Sequence, residues 1–132
     1  MHNRIVVRYQ DRRLLKGFTT DFLPTKEVFH LTSVDSAAQV PLEVRLSQAK
    51  AVFFVRDLNG NRAYRERKQF DGARPPLGRK IRVVFKDGEL LVGTTQCYQP
   101  GRPGFFVIPA DPSSNNERCF VVSSAVRTIA FI

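Results

Sequence analysis

Apolar and polar residues alternate in ten short stretches of the chain, the pattern of half-buried β-strands. Five stretches lie in the first half, at 5–9, 14–22, 28–31, 42–46 and 51–55, and five in the second, at 81–85, 90–98, 105–108, 119–122 and 128–131. Polar turns and prolines separate the stretches, which marks them as independent strands. The pattern therefore predicts an all-β protein.

The second set of strands repeats the first. Residues 4–56 align without a gap on residues 80–132, and twelve of the 53 pairs are identical. The identical pairs include Asp, Gly, Pro and Ser, which two unrelated strand-rich segments would not keep in step. The sequence thus predicts an internal duplication with a constant offset of 76, in which the turns at 47–49 and 123–125 correspond.

Five short strands in about 50 residues favour a small β-barrel for each repeat, because an open sheet of that size leaves its edges unpaired. Gly17 and Gly93 lie in mid-strand, where a sharp bend is easiest without a side chain. Asp87-Gly88 is a favoured hairpin turn, and Arg12 replaces its glycine in the first repeat. We therefore predict two five-stranded barrels, a first repeat at 1–58 and a second repeat at 80–132. The alternative is a flat hairpin sheet.

The linker, residues 59–79, carries much of the charge. It holds six Lys and Arg against two Asp and Glu, which is +4 of the net charge of +9. Residues 62–70 could form about two turns of helix. The strongest cluster comprises Arg62, Tyr64, Arg65, Arg67 and Lys68.

This cluster has three interpretations. The cations could contact nucleic-acid phosphates while Tyr64 stacks on a base. They could instead dock an acidic protein partner. The third interpretation is a solvated connector whose charges only maintain solubility. If the protein is an adaptor, charge reversal at Arg62, Arg65 and Arg67 is expected to leave folding intact.

Eleven phenylalanines include two adjacent pairs, Phe53-Phe54 and Phe105-Phe106. Neighbouring residues of a strand point to opposite faces, so one ring of each pair points away from its own core. That ring either packs between the two repeats or forms an exposed patch for a partner. The terminal strand, 127–132, could likewise pair with the first repeat or with a second copy, which would give a homo-oligomer.

Catalytic and metal-binding residues are scarce. The histidines are His2 and His30, and the cysteines, Cys97 and Cys119, lie in predicted strands where they are expected to be buried thiols. The sequence has no CxxC pair and no phosphate-binding loop. We therefore predict no enzyme activity, no cofactor and no metal. No apolar run approaches a membrane span and no secretory signal is recognisable, so a cytoplasmic protein is expected.

The segment 85–93, Phe-Lys-Asp-Gly-Glu-Leu-Leu-Val-Gly, resembles the first signature of the Sm/LSm/Hfq superfamily. Residues 121–129 are similar to the last two strands of bacterial Hfq-type proteins. The resemblance covers both repeats, roughly four-fifths of the chain, and implies tandem Sm-like barrels. Residues 14–19 and 104–111 also look like repeats of uncharacterised bacterial proteins, in which such repeats accompany PilZ and other signalling modules.

The residues of the Sm uridine pocket are missing. That pocket uses an Asp and an Asn in the third loop and an Arg-Gly in the fifth. The third loops, 24–27 and 100–103, lack the Asn, and the fifth loops, 47–50 and 123–126, lack Arg-Gly. We therefore predict a non-enzymatic interaction adaptor in a bacterial signalling or regulatory assembly. The alternative is an RNA-binding protein that uses backbone electrostatics.

Overall fold

The computed structural model describes residues 3–34, 40–60, 63–70, 78–96 and 98–132. All ten predicted strands are present, which confirms the all-β class. The first repeat forms β1 (Asn3–Tyr9), β2 (Leu14–Thr19), β3 (Val28–Ser33), β4 (Pro41–Arg45) and β5 (Ala49–Val55). The second forms β6 (Arg79–Phe85), β7 (Leu90–Thr95), β8 (Gly104–Pro109), β9 (Asn116–Val122) and β10 (Val126–Phe131). A single 3-10 turn precedes β5 and another precedes β10.

The strands form one open antiparallel sheet in the order β10-β6-β7-β8-β9-β5-β1-β2-β3-β4. The prediction of two closed five-stranded barrels is therefore wrong. A strand has two edges, and β5 uses one on β1 and the other on β9 of the second repeat. No edge of β5 remains for β4, so neither repeat closes on itself. Strands β4 and β10 are the two ends of the sheet.

The pair of β5 and β9 is a wall shared by two hydrophobic cores. Every residue of β5 is buried, and its side chains alternate between the cores. Phe54 packs in the first core and Phe53 in the second, while Phe120 and Val121 of β9 divide in the same way. Because successive side chains of a strand point to opposite faces, a strand buried on both faces reads as a continuous apolar run.

The correspondence between the repeats shifts by one residue after β3. Strands β1 to β3 correspond to β6 to β8 at the predicted offset of 76. Afterwards the offset is 77, since Ile5 pairs with Phe54 whereas Ile81 pairs with Phe131. The second repeat thus has one extra residue between β8 and β9, and the gapless alignment is wrong in this part. A shift of one residue in the alignment exchanges the two faces of a strand. At the offset of 77, the structural counterpart of Phe120 is Glu43.

The two mid-strand glycines are equivalent, as predicted. Gly17 pairs with Ile5 and Gly93 with Ile81. A Cβ at Gly17 would lie 2.1 Å from the carbonyl oxygen of Thr32, and one at Gly93 equally close to that of Ile108. The neighbouring backbone leaves no room for a side chain at either position.

The first turn of each repeat differs slightly from the predicted two-residue hairpin. The Gly88 N–H donates to the Phe85 carbonyl at 2.9 Å, so Asp87 lies inside the turn and Gly88 follows it with a φ of +91°. Arg12 takes the same place with a φ of +75°. That left-handed backbone suits glycine and costs other residues about 1 kcal/mol or more.

Candidate protein-interaction site

Each repeat carries an equivalent cluster of three aromatic rings. The first triad is Phe22, Phe29 and Phe54, in which Phe22 lies edge-on to the others with ring centroids 5.1 and 5.4 Å away. The second triad is Tyr98, Phe105 and Phe131, with corresponding distances of 5.0 and 5.6 Å from Tyr98. The near-identical geometry shows that the triads are structural counterparts.

The second repeat covers the first triad. The Phe120 ring on β9 lies 5.3 Å from Phe22, and Phe106 on β8 lies 6.0 Å from Phe54. The Arg118 guanidinium is 4.3 Å from the centre of the Phe54 ring. This cover leaves Phe54 only 5% exposed.

The second triad has no such cover in the described part of the chain. Among the described residues, strand β10 pairs only with β6, so no described strand lies on its other edge. Phe131, the counterpart of Phe54, is 39% exposed and Ile132 beside it is 55% exposed. The Arg79 guanidinium lies 3.7 Å from the Phe131 ring centre and occupies the role that Arg118 has on Phe54. An apolar edge of the sheet is therefore left without a strand.

The opposite end of the sheet carries charged groups next to the exposed apolar side chains of Val40 and Leu42. The positions that hold Phe106 and Phe120 in the second repeat hold His30 and Glu43 in the first. In both repeats the two residues lie opposite each other in the strand register. His30 Nδ1 lies 2.7 Å from Asp21, and Glu43 forms an exposed salt bridge of 3.2 Å with Arg45. The two repeats thus differ at the positions of Phe106 and Phe120, where the first repeat has polar side chains.

The four phenylalanines singled out from the sequence do not form an exposed patch. Phe53 is 9% exposed, Phe54 5% and Phe105 4%, and Phe106 is half-buried against the first core. The expectation of an exposed ring is wrong because β5 and β8, which carry these pairs, lie inside the sheet and contribute rings to both cores. The alternative, packing between the repeats, is what the structure has.

Phe105 and Phe106 do line a groove of about 490 Å³ between the repeats. Pro24 of the first repeat forms one side, and Arg102 and Arg118 contribute guanidinium groups. Among the described residues that line it, none is a carboxylate, thiol or imidazole, so these residues offer apolar and cationic contacts.

The linker is bound to the second repeat through Asp111. The Tyr64 hydroxyl and the Arg67 backbone N–H, the latter at 2.9 Å, both donate to its carboxylate, whose side chain is fully buried. Burial alone would raise the pKa of Asp111, but these hydrogen bonds and one from Ser113 lower it to about 2. Asp111 was not recognised from the sequence, although it is one of the identical pairs of the repeat.

This binding changes the interpretation of the basic cluster. Residues 63–70 are not helical, because the Arg67 N–H bonds Asp111 instead of a carbonyl one turn earlier. The Lys68 ammonium pairs with Glu66 at 2.8 Å, and Arg65 is exposed. Arg62 lies outside the described residues. Tyr64 and Arg67 therefore have a structural role, and the prediction that charge reversal at Arg67 leaves folding intact is replaced by an expected loss of stability.

The turn at Asp87 also joins the repeats. The Lys50 ammonium, whose side chain is 9% exposed, lies 2.7 Å from both Asp87 and Glu89. The hydrogen bond from Lys50 is the main reason that the pKa of Asp87 is lowered. Asp87 thus adds a link across the junction between the repeats.

Of the groups with catalytic potential, His30 lies at the surface in a pair with Asp21. Cys119 is completely buried, which raises the pKa of its thiol, and Cys97 and His2 lie outside the description. No group of three His, Cys, Asp or Glu among the described residues could hold a metal ion. None of the described helices is long and apolar enough to cross a membrane.

Comparison with known proteins identifies a family but no function. The model of a family of unknown function, DUF6982, matches residues 1–132, so the chain belongs to this family. No curated protein and no solved structure matches the chain.

Proposed function

We propose that this member of DUF6982 is a non-enzymatic adaptor that binds a protein partner at the open edge of β10. The observation that carries the proposal is the contrast between the two aromatic triads. The first is covered by β9, whereas its counterpart lies beside an unpaired strand with Phe131 and Ile132 exposed. An unpaired strand edge is a template for another chain.

The two sheet ends support this assignment of the binding edge. Proteins protect unused edges with prolines and charges. Strand β4 has both, in Pro41 and in the Glu43–Arg45 salt bridge. Strand β10 carries Ile129, Ala130 and Phe131 in succession, which leaves its edge available.

RNA binding through the linker has less support. Tyr64 would have to leave Asp111 before it could stack on a base, and Arg67 would have to give up the same carboxylate. The signalling context and the Sm-like ancestry rest on the resemblance of sequence motifs and remain predictions.

Site-specific photocrosslinking in the native cell tests the proposal. A benzophenone amino acid replaces Thr128, which is exposed on β10, and in a control protein it replaces Leu23, which is 51% exposed in the first repeat. We expect a discrete protein adduct from position 128 that is absent from position 23.

Two results would contradict the adaptor function. One is the same adducts from both positions. The other is a purified protein that carries RNA and retains it at physiological salt with sequence preference, since a few phosphate contacts alone would be lost there.

A further inference from the structure

We infer that the β10 edge accepts an extended protein segment, antiparallel to β10, in which a carboxylate, an aromatic residue and an aliphatic residue occupy alternate positions. This inference rests on the proposed function and adds the chemistry of the partner. Strand β9 of the chain itself serves as the model for this partner segment, because β9 occupies the equivalent edge of β5.

The hydrogen-bonding groups for such a segment are in place. The Ile132 N–H donates to Lys80 of β6 at 3.1 Å. Because antiparallel pairs alternate, the N–H and C=O groups of Ile129 and Phe131 then point to the open side. Their counterparts, Val52 and Phe54, pair with Phe120 and Arg118 of β9.

The position opposite Ile129 favours an aromatic ring. In the first repeat this position holds Phe120, which packs on Phe22 and Phe106. The second triad offers Tyr98 in the place of Phe22, and Phe131 is exposed beside it. Two residues further along the segment, the place of Val122 suits an aliphatic side chain that extends the apolar contact.

The position opposite Phe131 favours a carboxylate. Its counterpart in β9 is Arg118, which stands over Phe54. In the second repeat Arg79 already stands over Phe131, so an incoming cation would be repelled. Strands β6 and β10 together carry no side-chain carboxylate. They carry four cations, namely Arg79, Lys80, Arg82 and Arg127. The field at this edge is therefore positive.

A second copy of the chain fits this edge poorly. Its equivalent strand is β4, which has Glu43 where β9 has Phe120 and Arg45 where β9 has Val122. A charged side chain in place of Phe120 would lose its hydration against the aromatic triad. Pairing of β10 with β10 of another copy would bring two sets of like charges together.

Three labelled peptides test the inference by fluorescence anisotropy with the full chain. The first, Asn-Glu-Glu-Ser-Phe-Val-Val, is β9 with Glu in place of Arg118 and Ser in place of Cys119. The second keeps the Arg, and the third is the β4 sequence Val-Pro-Leu-Glu-Val-Arg-Leu. We expect the first to bind at least about tenfold more tightly than either of the others.

Variants of the protein locate the binding. Ile132→Asp changes an exposed side chain and should weaken the first peptide about tenfold, whereas the similarly exposed Leu23→Asp should bind like the wild type. Arg79→Glu should reverse the preference between the first and second peptides, a result that a merely unfolded protein would not give.

Equal binding of the three peptides, or an unchanged preference in Arg79→Glu, would overturn the inference. So would a dimer in solution in which the β10 amides are protected, because a second copy would then be the occupant. If the peptides fail while the adduct from position 128 persists, the adaptor function stands and only the partner chemistry is wrong. If neither the peptide binding nor the adduct from position 128 is observed, both the adaptor function and the partner chemistry are wrong.

Discussion

Replacement of Phe120 by alanine tests whether the two repeats share one structural wall. Phe120 belongs to the second repeat, yet its ring is 1% exposed and packs in the core of the first. It contacts Phe22 and Phe106 with centroid distances of 5.3 and 5.1 Å. Truncation should therefore destabilise the repeat to which the residue does not belong.

The expected loss follows from burial. A fully buried Phe→Ala change costs about 3 to 5 kcal/mol, the sum of lost apolar transfer and the cavity left behind. Strands β5 and β9 are paired on both edges, so the cavity cannot collapse easily and the lower end of this range does not apply. Urea unfolding followed by circular dichroism should show one transition with a free energy of unfolding lower by about 4 kcal/mol.

Phe131→Ala provides the matched control at the open edge. Its ring is 39% exposed and contacts Tyr98 and the Arg79 guanidinium. Because water already reaches this ring and no described strand covers it, we expect a loss of about 1 kcal/mol. A loss for Phe120→Ala no larger than that of the control, or two separate transitions of which only the second repeat's shifts, would refute the shared wall.

Three further predictions concern stability. Asp111→Asn should lower the free energy of unfolding at neutral pH by about 2 kcal/mol, the equivalent of lowering the pKa from 3.8 to about 2. Since the folded pKa is depressed, this stabilisation is complete above about pH 4 and disappears as the pH falls to about 2, so acid titration should be shallower in the variant than in the wild type. Gly93→Ala should cost more than about 2 kcal/mol in thermal or urea unfolding, because its Cβ would meet the Ile108 carbonyl; a neutral variant would show that the strands are less close. Arg12→Gly should raise the unfolding free energy by about 0.5 kcal/mol by relieving a φ of +75°, and a destabilised variant would contradict that backbone conformation.

The strands were predictable because their signal is local. Alternation located all ten, and Gly17 and Gly93 marked positions where the backbone of a neighbouring strand leaves no room for a Cβ. The continuous apolar run of β5 already indicated a strand buried on both faces, which is typical of the middle of a sheet and not of a free-standing barrel. That signal would also have placed Phe53 and Phe54 in two different cores.

The way in which the two repeats associate was not predictable, because it depends on the single extra residue between β8 and β9 that shifts the register of the later strands. The identity of Ser47 with Ser123 and of Ala49 with Ala125 supported a gapless alignment, yet neither pair is structurally equivalent. Because of the inserted residue, the gapless alignment assigns the residues of β9 to the wrong faces of the strand. The partnership of Asp111 with the linker is equally invisible, since it joins segments more than 40 residues apart.

Amide hydrogen exchange measured by NMR tests the central claim, that β9 covers β5 while the equivalent edge of β10 is open. The Phe54 and Phe131 amides are structural counterparts, and both belong to strands paired on their other side. We predict that Phe54 exchanges only through global unfolding, whereas Phe131 exchanges within about 100-fold of the rate of an unstructured chain. Equal protection of the two amides would contradict the account, because the edge of β10 would then already be occupied.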